Sequence, residues 1–67
     1  MKIKELAGRR LTLLRGDTPR EDVAAAVKIS VSALQMYENG RRMPKDDIKL
    51  RLADYYRTTV GWLFFGE

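Results

Sequence analysis

The side chains best suited to recognising another molecule lie on one side of a predicted helix at residues 31–39. At about 100° per residue, this helix places three residues on an inner side: Ala33, Leu34 and Tyr37. The outer side carries Ser32, Gln35, Met36 and Asn39, without a charged residue, in a chain that is 33% charged. Glutamine can form two hydrogen bonds with adenine, serine can reach several base edges, and methionine or valine can contact the thymine methyl group. Such residues are equally ordinary on a solvated surface, so the helix alone leaves both interpretations open.

Cations flank this helix on both sides. Gly40 can take the left-handed conformation that ends a helix, and the residues after it include Arg41, Arg42 and Lys45. At the start of the preceding predicted helix, Thr18 and Arg20 can offer side chains and free backbone N–H groups to a second phosphate strand. A single arginine is more often a solvated charge than a contact, but the shared side of these residues favours phosphate contacts.

The distribution of charge supports an anionic partner. The net charge is +4, and residues 1–45 hold ten cations and five anions, whereas residues 46–67 hold three cations and four anions. This asymmetry favours a polyanion, either nucleic acid or an anionic membrane surface.

Other classes of function find little support. The chain has no histidine and no cysteine, which removes disulfides and most metal ligation. Asp46 and Asp47 are expected as charges at a helix start, so there is no convincing pair of catalytic acids. We therefore expect no enzymatic activity, no cofactor, no metal and no small-molecule ligand. No apolar run is long enough to cross a bilayer and the N-terminus lacks a signal-peptide core, so we expect a cytoplasmic protein without a membrane partner.

Turn signals divide the chain into five short helices and no strand, which predicts an all-α bundle forming one domain over residues 1–67. The helices are expected at Lys2 to Leu14, from Thr18-Pro19 to about Val27, at Val31 to Asn39, from Pro44 onward, and at "VGWLFF" near the end. Thr18 with Glu21 has the pattern of a capping box, Ser30 precedes the third helix, and Thr58 or Thr59 precedes the last.

The second and third helices are too closely spaced for an ordinary hairpin but suit a helix-turn-helix at about residues 20–39. The apolar residues that the two helices must share are Val23, Val27, Ile29, Leu34 and Tyr37. Ala24 falls where the helices approach most closely, and a small residue is expected there because a larger one would push them apart.

From Leu11 to Phe65 the chain resembles the phage repressor and Cro family of helix-turn-helix domains, also called the xenobiotic-response-element type. The matching segments are "LRGDTPREDVAAAVKISVSALQMYENGRRMP" and "IKLRLADYYRTTVGWLFF". The resemblance implies a compact five-helix, lambda-repressor-like bundle that binds double-stranded operator DNA, usually as a dimer, and regulates transcription. The chain departs from the family pattern at two corners, where Lys28 and Arg57 replace the usual glycine, and in a shorter loop at Gly16-Asp17.

The resemblance combines with the residue patterns to assign roles. We expect base readout by Ser32, Gln35, Met36 and Val31, and phosphate contacts by Thr18, Arg20, Asn39, Arg41, Arg42 and Lys45. Glu38 lies close to the inner side of its helix, where an unpaired carboxylate would be costly. The family often pairs this glutamate with an arginine of the first helix, which makes Arg15 the first choice and Arg10 the second. An exposed Glu38 without a partner is the alternative.

The C-terminal "GWLFF" has more aromatic side chains than a short helix needs for its core. Leu63 and one phenylalanine are expected in the core, and Trp62 or Phe65 could form a dimer patch, although a core role for all of them is equally compatible with the sequence. A homodimer would select an inverted-repeat site. The leading prediction is thus a transcriptional repressor. The competing one is a helix-turn-helix module that docks a protein, as an antitoxin or adaptor, with little base readout.

Overall fold

The computed structural model describes residues 2–67, and five helices and no strand occur in this part of the chain. The helices are α1 (Ile3–Arg15), α2 (Arg20–Val27), α3 (Val31–Glu38), α4 (Asp46–Tyr55) and α5 (Val60–Phe65). The predicted all-α, five-helix bundle is therefore confirmed.

Two helix starts differ from the prediction. Thr18 does not cap α2, because the chain remains extended through Pro19 (ψ 141°) and the Pro19 carbonyl accepts the first bonds of the helix, from Asp22 and Val23. Thr18 instead closes a turn with Arg15. Pro44 is not in the first turn of α4 either. Lys45 is still extended (ψ 163°), so α4 begins at Asp46 and Pro44 is buried in the preceding loop.

The other two predicted caps are present. The Ser30 hydroxyl accepts a hydrogen bond from the Ala33 N–H (3.0 Å), and the Thr59 hydroxyl accepts one from the Trp62 N–H (3.0 Å). These hydroxyls satisfy N–H groups that a helix start leaves without an acceptor, which stabilises two helices that are too short to persist alone.

All five helices contribute to one hydrophobic core. Its fully buried large side chains are Leu11, Val23, Leu34, Leu52, Leu63 and Phe64. Ala24 is also buried at the α2–α3 corner, and its carbonyl accepts the Ile29 N–H at 2.9 Å. The apolar residues predicted to join these two helices therefore do so, with Ile29 partly buried.

The three corners after α2, α3 and α4 have the same backbone hydrogen bonds. In each, a residue with positive φ follows the helix, and the next N–H bonds to a carbonyl five residues back: Ile29 to Ala24, Arg41 to Met36, Thr58 to Ala53. This is the Schellman arrangement, in which glycine is favoured because it has no Cβ. Only Gly40 (φ 72°) is a glycine. Lys28 (φ 61°) and Arg57 (φ 57°) take the left-handed conformation despite their side chains.

Candidate nucleic-acid interface

Helix α3 is fixed to the core by one side and presents the other to solvent. Leu34 and Tyr37 are buried, and Val31 and Ala33 are partly buried. The exposed residues are Ser32, Gln35, Met36 and Asn39, as the helical wheel predicts. With eight residues, α3 is about 12 Å long. An α-helix with its side chains is about 10–12 Å in diameter, which fits the major groove of B-DNA, about 12 Å wide.

Helix α3 ends abruptly before Gly40, and cations follow directly after it. The Gly40 N–H bonds to the Tyr37 carbonyl (3.2 Å) and the Arg41 N–H bonds to the Met36 carbonyl (3.0 Å), which reverses the chain within two residues. The Cα atom of Glu5 would lie only 3.0 Å from a Cβ at position 40, so both the conformation and the space favour glycine. Arg41, Arg42 and Lys45, which follow Gly40, are all exposed.

The carboxylate of Glu38 lies at the centre of a buried ion cluster. Its Oε2 accepts from Arg15 Nε at 2.7 Å, and its Oε1 accepts from Arg15 Nη2 at 3.1 Å and from Arg20 Nε at 2.8 Å. The Glu38 side chain is only 1% exposed. Arg15 is therefore the partner that the family resemblance implied, and its hydrogen bond to Glu38 raises the pKa of Arg15.

Arg20 was missed as a partner of Glu38. Its assignment from the sequence was to phosphate alone, whereas the structure also places its Nε against the carboxylate. No local sequence pattern links Arg20 to Glu38. The two residues are 18 positions apart, and their contact depends on how α2 crosses α3. The cluster thus joins the last residue of α1, the first residue of α2 and the last residue of α3.

Tyr56 lies near the same cluster. Burial is the main cause that raises the pKa of Tyr56 to about 12, and the Glu38 charge adds to it. Its hydroxyl is buried and has no hydrogen-bond partner among the described residues.

Gly8 is a second structural residue that the sequence reading missed. An added Cβ there would lie 2.5 Å from the Glu38 carbonyl oxygen and 2.7 Å from that of Tyr37. Backbone of α1 therefore sits directly against the C-terminal end of α3. The available signal was a glycine in the interior of a predicted helix, where it costs stability relative to alanine and usually has a packing reason.

In the middle of α1, Arg10 covers Trp62. The Arg10 guanidinium lies 4.3 Å from the centroid of the Trp62 ring and also donates to the Trp62 backbone carbonyl. Trp62 is partly buried, Leu63 and Phe64 are in the core, and Phe65 is 51% exposed. Arg10 is thus occupied by Trp62 and is not a partner of Glu38, which was its second-choice role.

The fold and this surface define a class of protein: a helix-turn-helix bundle with a recognition-type helix whose outer side is polar and which is followed by exposed cations. A family model described as helix-turn-helix matches residues 10–63. The chain belongs to this family, the Cro/C1 or xenobiotic-response-element type, whose members are DNA-binding regulatory domains and not enzymes. No curated protein and no solved structure matches the chain significantly. None of the helices in residues 2–67 has both the length and the apolar character needed to cross a bilayer.

Proposed function

We propose that the protein is a sequence-specific transcriptional repressor that inserts α3 into the major groove of an operator. The observation that carries this proposal is the exposed, uncharged outer side of α3, directly flanked by exposed cations. In this arrangement Ser32 and Gln35 form hydrogen bonds with base edges, and Met36 and the partly buried Val31 contact thymine methyl groups. The roughly 12 Å length of α3 corresponds to about three to four base pairs at about 3.4 Å each.

The phosphate contacts that position α3 come from two places in this proposal. Asn39, Arg41, Arg42 and Lys45 serve one strand, and Thr18 and Arg20 serve the other. The surrounding charge supports the first group of contacts more strongly than the second. The loop after α3 has three exposed cations, whereas the start of α2 also has exposed acidic residues at 17, 21 and 22. The loop therefore supplies most of the nonspecific attraction, and Arg20 must act through its orientation more than through local charge.

The proposal includes a two-fold dimer. The described residues measure 27 × 22 × 20 Å, while successive major grooves on one face of DNA are about 34 Å apart. One copy therefore reaches a single groove, and two copies related by a two-fold axis would read an inverted repeat. Each copy would act as one DNA-binding unit over residues 1–67.

Phe65 is the better candidate for the dimer contact. Trp62 is partly buried, with Arg10 over its ring, whereas Phe65 is 51% exposed even though the Lys49 ammonium lies 4.7 Å from its ring centroid. Ile3 is 46% exposed. The Ile3 Cδ1 atom would lie 4.0 Å from a Cβ at Gly66, which places these apolar side chains at the same end of the molecule.

Phe65→Ser should weaken dimerisation in sedimentation, whereas Leu50→Ser, on an exposed leucine of α4, should not. The reverse result would move the interface to α4.

Comparison of two substitutions tests the division of roles. Gln35→Ala should change base preference at particular positions, with a loss of about 1–3 kcal/mol for a bidentate contact. Arg41→Ala should weaken binding to all DNA sequences alike. It should also reduce the slope of log affinity against log salt concentration by about one. Titration of a site library at several salt concentrations measures both effects. Identical profiles for the two variants would refute the assignment, and binding of a protein partner without any DNA binding would favour an adaptor.

A further inference from the structure

The cluster of Arg15, Glu38 and Arg20 has one more positive charge than negative. The Glu38 side chain is 1% exposed and Arg15 is 15% exposed, whereas Arg20 is 32% exposed. The excess charge is therefore most accessible to an anion at Arg20.

The two arginines use their donors differently. Arg15 directs Nε and Nη2 to Glu38 and Nη1 to the Thr18 carbonyl (2.9 Å), so each of its three nitrogens has an acceptor. Arg20 uses only Nε, which donates to Glu38 Oε1. Both Nη groups of Arg20 lack an acceptor within residues 2–67. Because the guanidinium is planar and rigid, fixing its Nε edge also fixes the direction of its Nη edge.

We propose that Glu38, held in place by Arg15, orients the Arg20 guanidinium so that its Nη edge makes a directional, bidentate contact with one DNA phosphate. This proposal rests on the proposed function and assigns Glu38 and Arg15 as positioning residues for that contact. A bidentate arginine–phosphate pair depends on geometry as well as charge, so lysine is not an equivalent substitute. The same carboxylate belongs to α3, so it also fixes where the phosphate contact lies relative to the bases that α3 reads.

The acidic neighbours of Arg20 make its orientation important. Asp17, Glu21 and Asp22 are exposed, and none forms an ion pair with Arg20 among the described residues. They reduce the attraction of this end of α2 for DNA in general. A freely rotating cation there would spend part of its time near these carboxylates, whereas the bond to Glu38 holds the Arg20 guanidinium in one orientation.

Single-phosphate neutralisation tests the contact. A duplex that the wild type selects from random DNA is prepared with one uncharged methylphosphonate at a time. For the wild type, neutralising one particular phosphate in each half-site should lower affinity by about tenfold, or about 1.4 kcal/mol. In Arg20→Lys that loss should shrink to about twofold or less, while other positions respond as before. Arg9→Lys, on an exposed arginine of α1 with no assigned role, should keep the wild-type pattern.

Variants of the orienting residues test the positioning. Glu38→Gln keeps the shape of the side chain but removes its charge, and it should abolish the Arg20-dependent phosphate signal even though Arg20 is intact. Arg15→Lys should reduce the same signal. It replaces Glu38→Gln as the test variant if Glu38→Gln does not fold, as judged by circular dichroism. An unchanged phosphate pattern in folded Glu38→Gln or Arg15→Lys, or in Arg20→Lys, overturns this proposal alone. A wild type that binds no duplex overturns the proposed function as well.

Discussion

Substitution of the two helical glycines Gly8 and Gly61 by alanine should have opposite effects on stability. At Gly8, the added Cβ would lie 2.5 and 2.7 Å from two backbone carbonyl oxygens of α3, distances that Cβ atoms in proteins do not tolerate. Helix α1 would have to move by at least about half an ångström. At Gly61, the nearest atom is the carboxylate of Glu67, at the end of a flexible side chain that can move away.

The expected magnitudes follow from these contacts. Overpacking costs about 1–3 kcal/mol, and replacing glycine by alanine in a helix returns up to about 1 kcal/mol. We therefore expect Gly8→Ala to lower the free energy of unfolding by up to about 2 kcal/mol and Gly61→Ala to raise it by up to about 1 kcal/mol. In a domain of this size, each kcal/mol shifts Tm by about 4–8 °C.

Urea unfolding followed by circular dichroism measures both variants under the same conditions. The slope of the free energy of unfolding against urea concentration should be the same for all variants, so that shifts in the midpoint report stability. A Gly8→Ala variant at least as stable as the wild type would refute the close contact between α1 and the end of α3. If Gly61→Ala is destabilised as strongly as Gly8→Ala, the reasoning from the nature of the contacting atoms is wrong.

Three further predictions concern other parts of the fold. Ala24→Leu should destabilise the protein by about 1–3 kcal/mol in the same urea assay, because Ala24 is buried at the α2–α3 corner; an unchanged midpoint would contradict that position. Lys28→Gly should raise the Tm relative to Lys28→Ala, because the left-handed conformation at φ 61° strains both lysine and alanine; equal Tm values would show no strain. The raised pKa of Tyr56 means that its neutral form stabilises the fold fully below about pH 10, and that this stability falls as pH rises toward about 12. Tyr56→Phe should reduce this alkaline loss in pH-dependent unfolding, and an identical pH profile would refute it.

The sequence predicts much of the fold because many of its signals are local. The Ser30 and Thr59 hydroxyls bond to N–H groups three residues away, and the apolar spacing around Leu34 repeats at helical intervals. The prediction that Thr18 caps α2 was wrong although the capping-box pattern is present, since the extended Pro19 delays the helix start. Local patterns therefore identify helices better than their exact ends.

The parts that could not be predicted depend on how distant helices meet. The need of Glu38 for a cation follows from its position on the helical wheel, but its bond to Arg20 depends on the crossing of α2 and α3. The contact of Gly8 with the end of α3 likewise joins residues about thirty positions apart. The outer side of α3 was predicted as exposed, and the roles of its residues in base readout stay predictions until DNA binding is measured.

Selection of bound duplexes from random DNA is the most direct test of base readout by α3. It is carried out at about 0.1 M salt, because nonspecific affinity depends strongly on salt. If α3 reads bases in a two-fold dimer, the wild type should enrich an inverted repeat whose half-site centres lie about 10 base pairs apart. Gln35→Ala, selected in parallel, should enrich a sequence altered at defined positions of each half-site. Recovery of random sequences by the wild type, with affinity that follows salt alone, would contradict the claim that α3 reads bases.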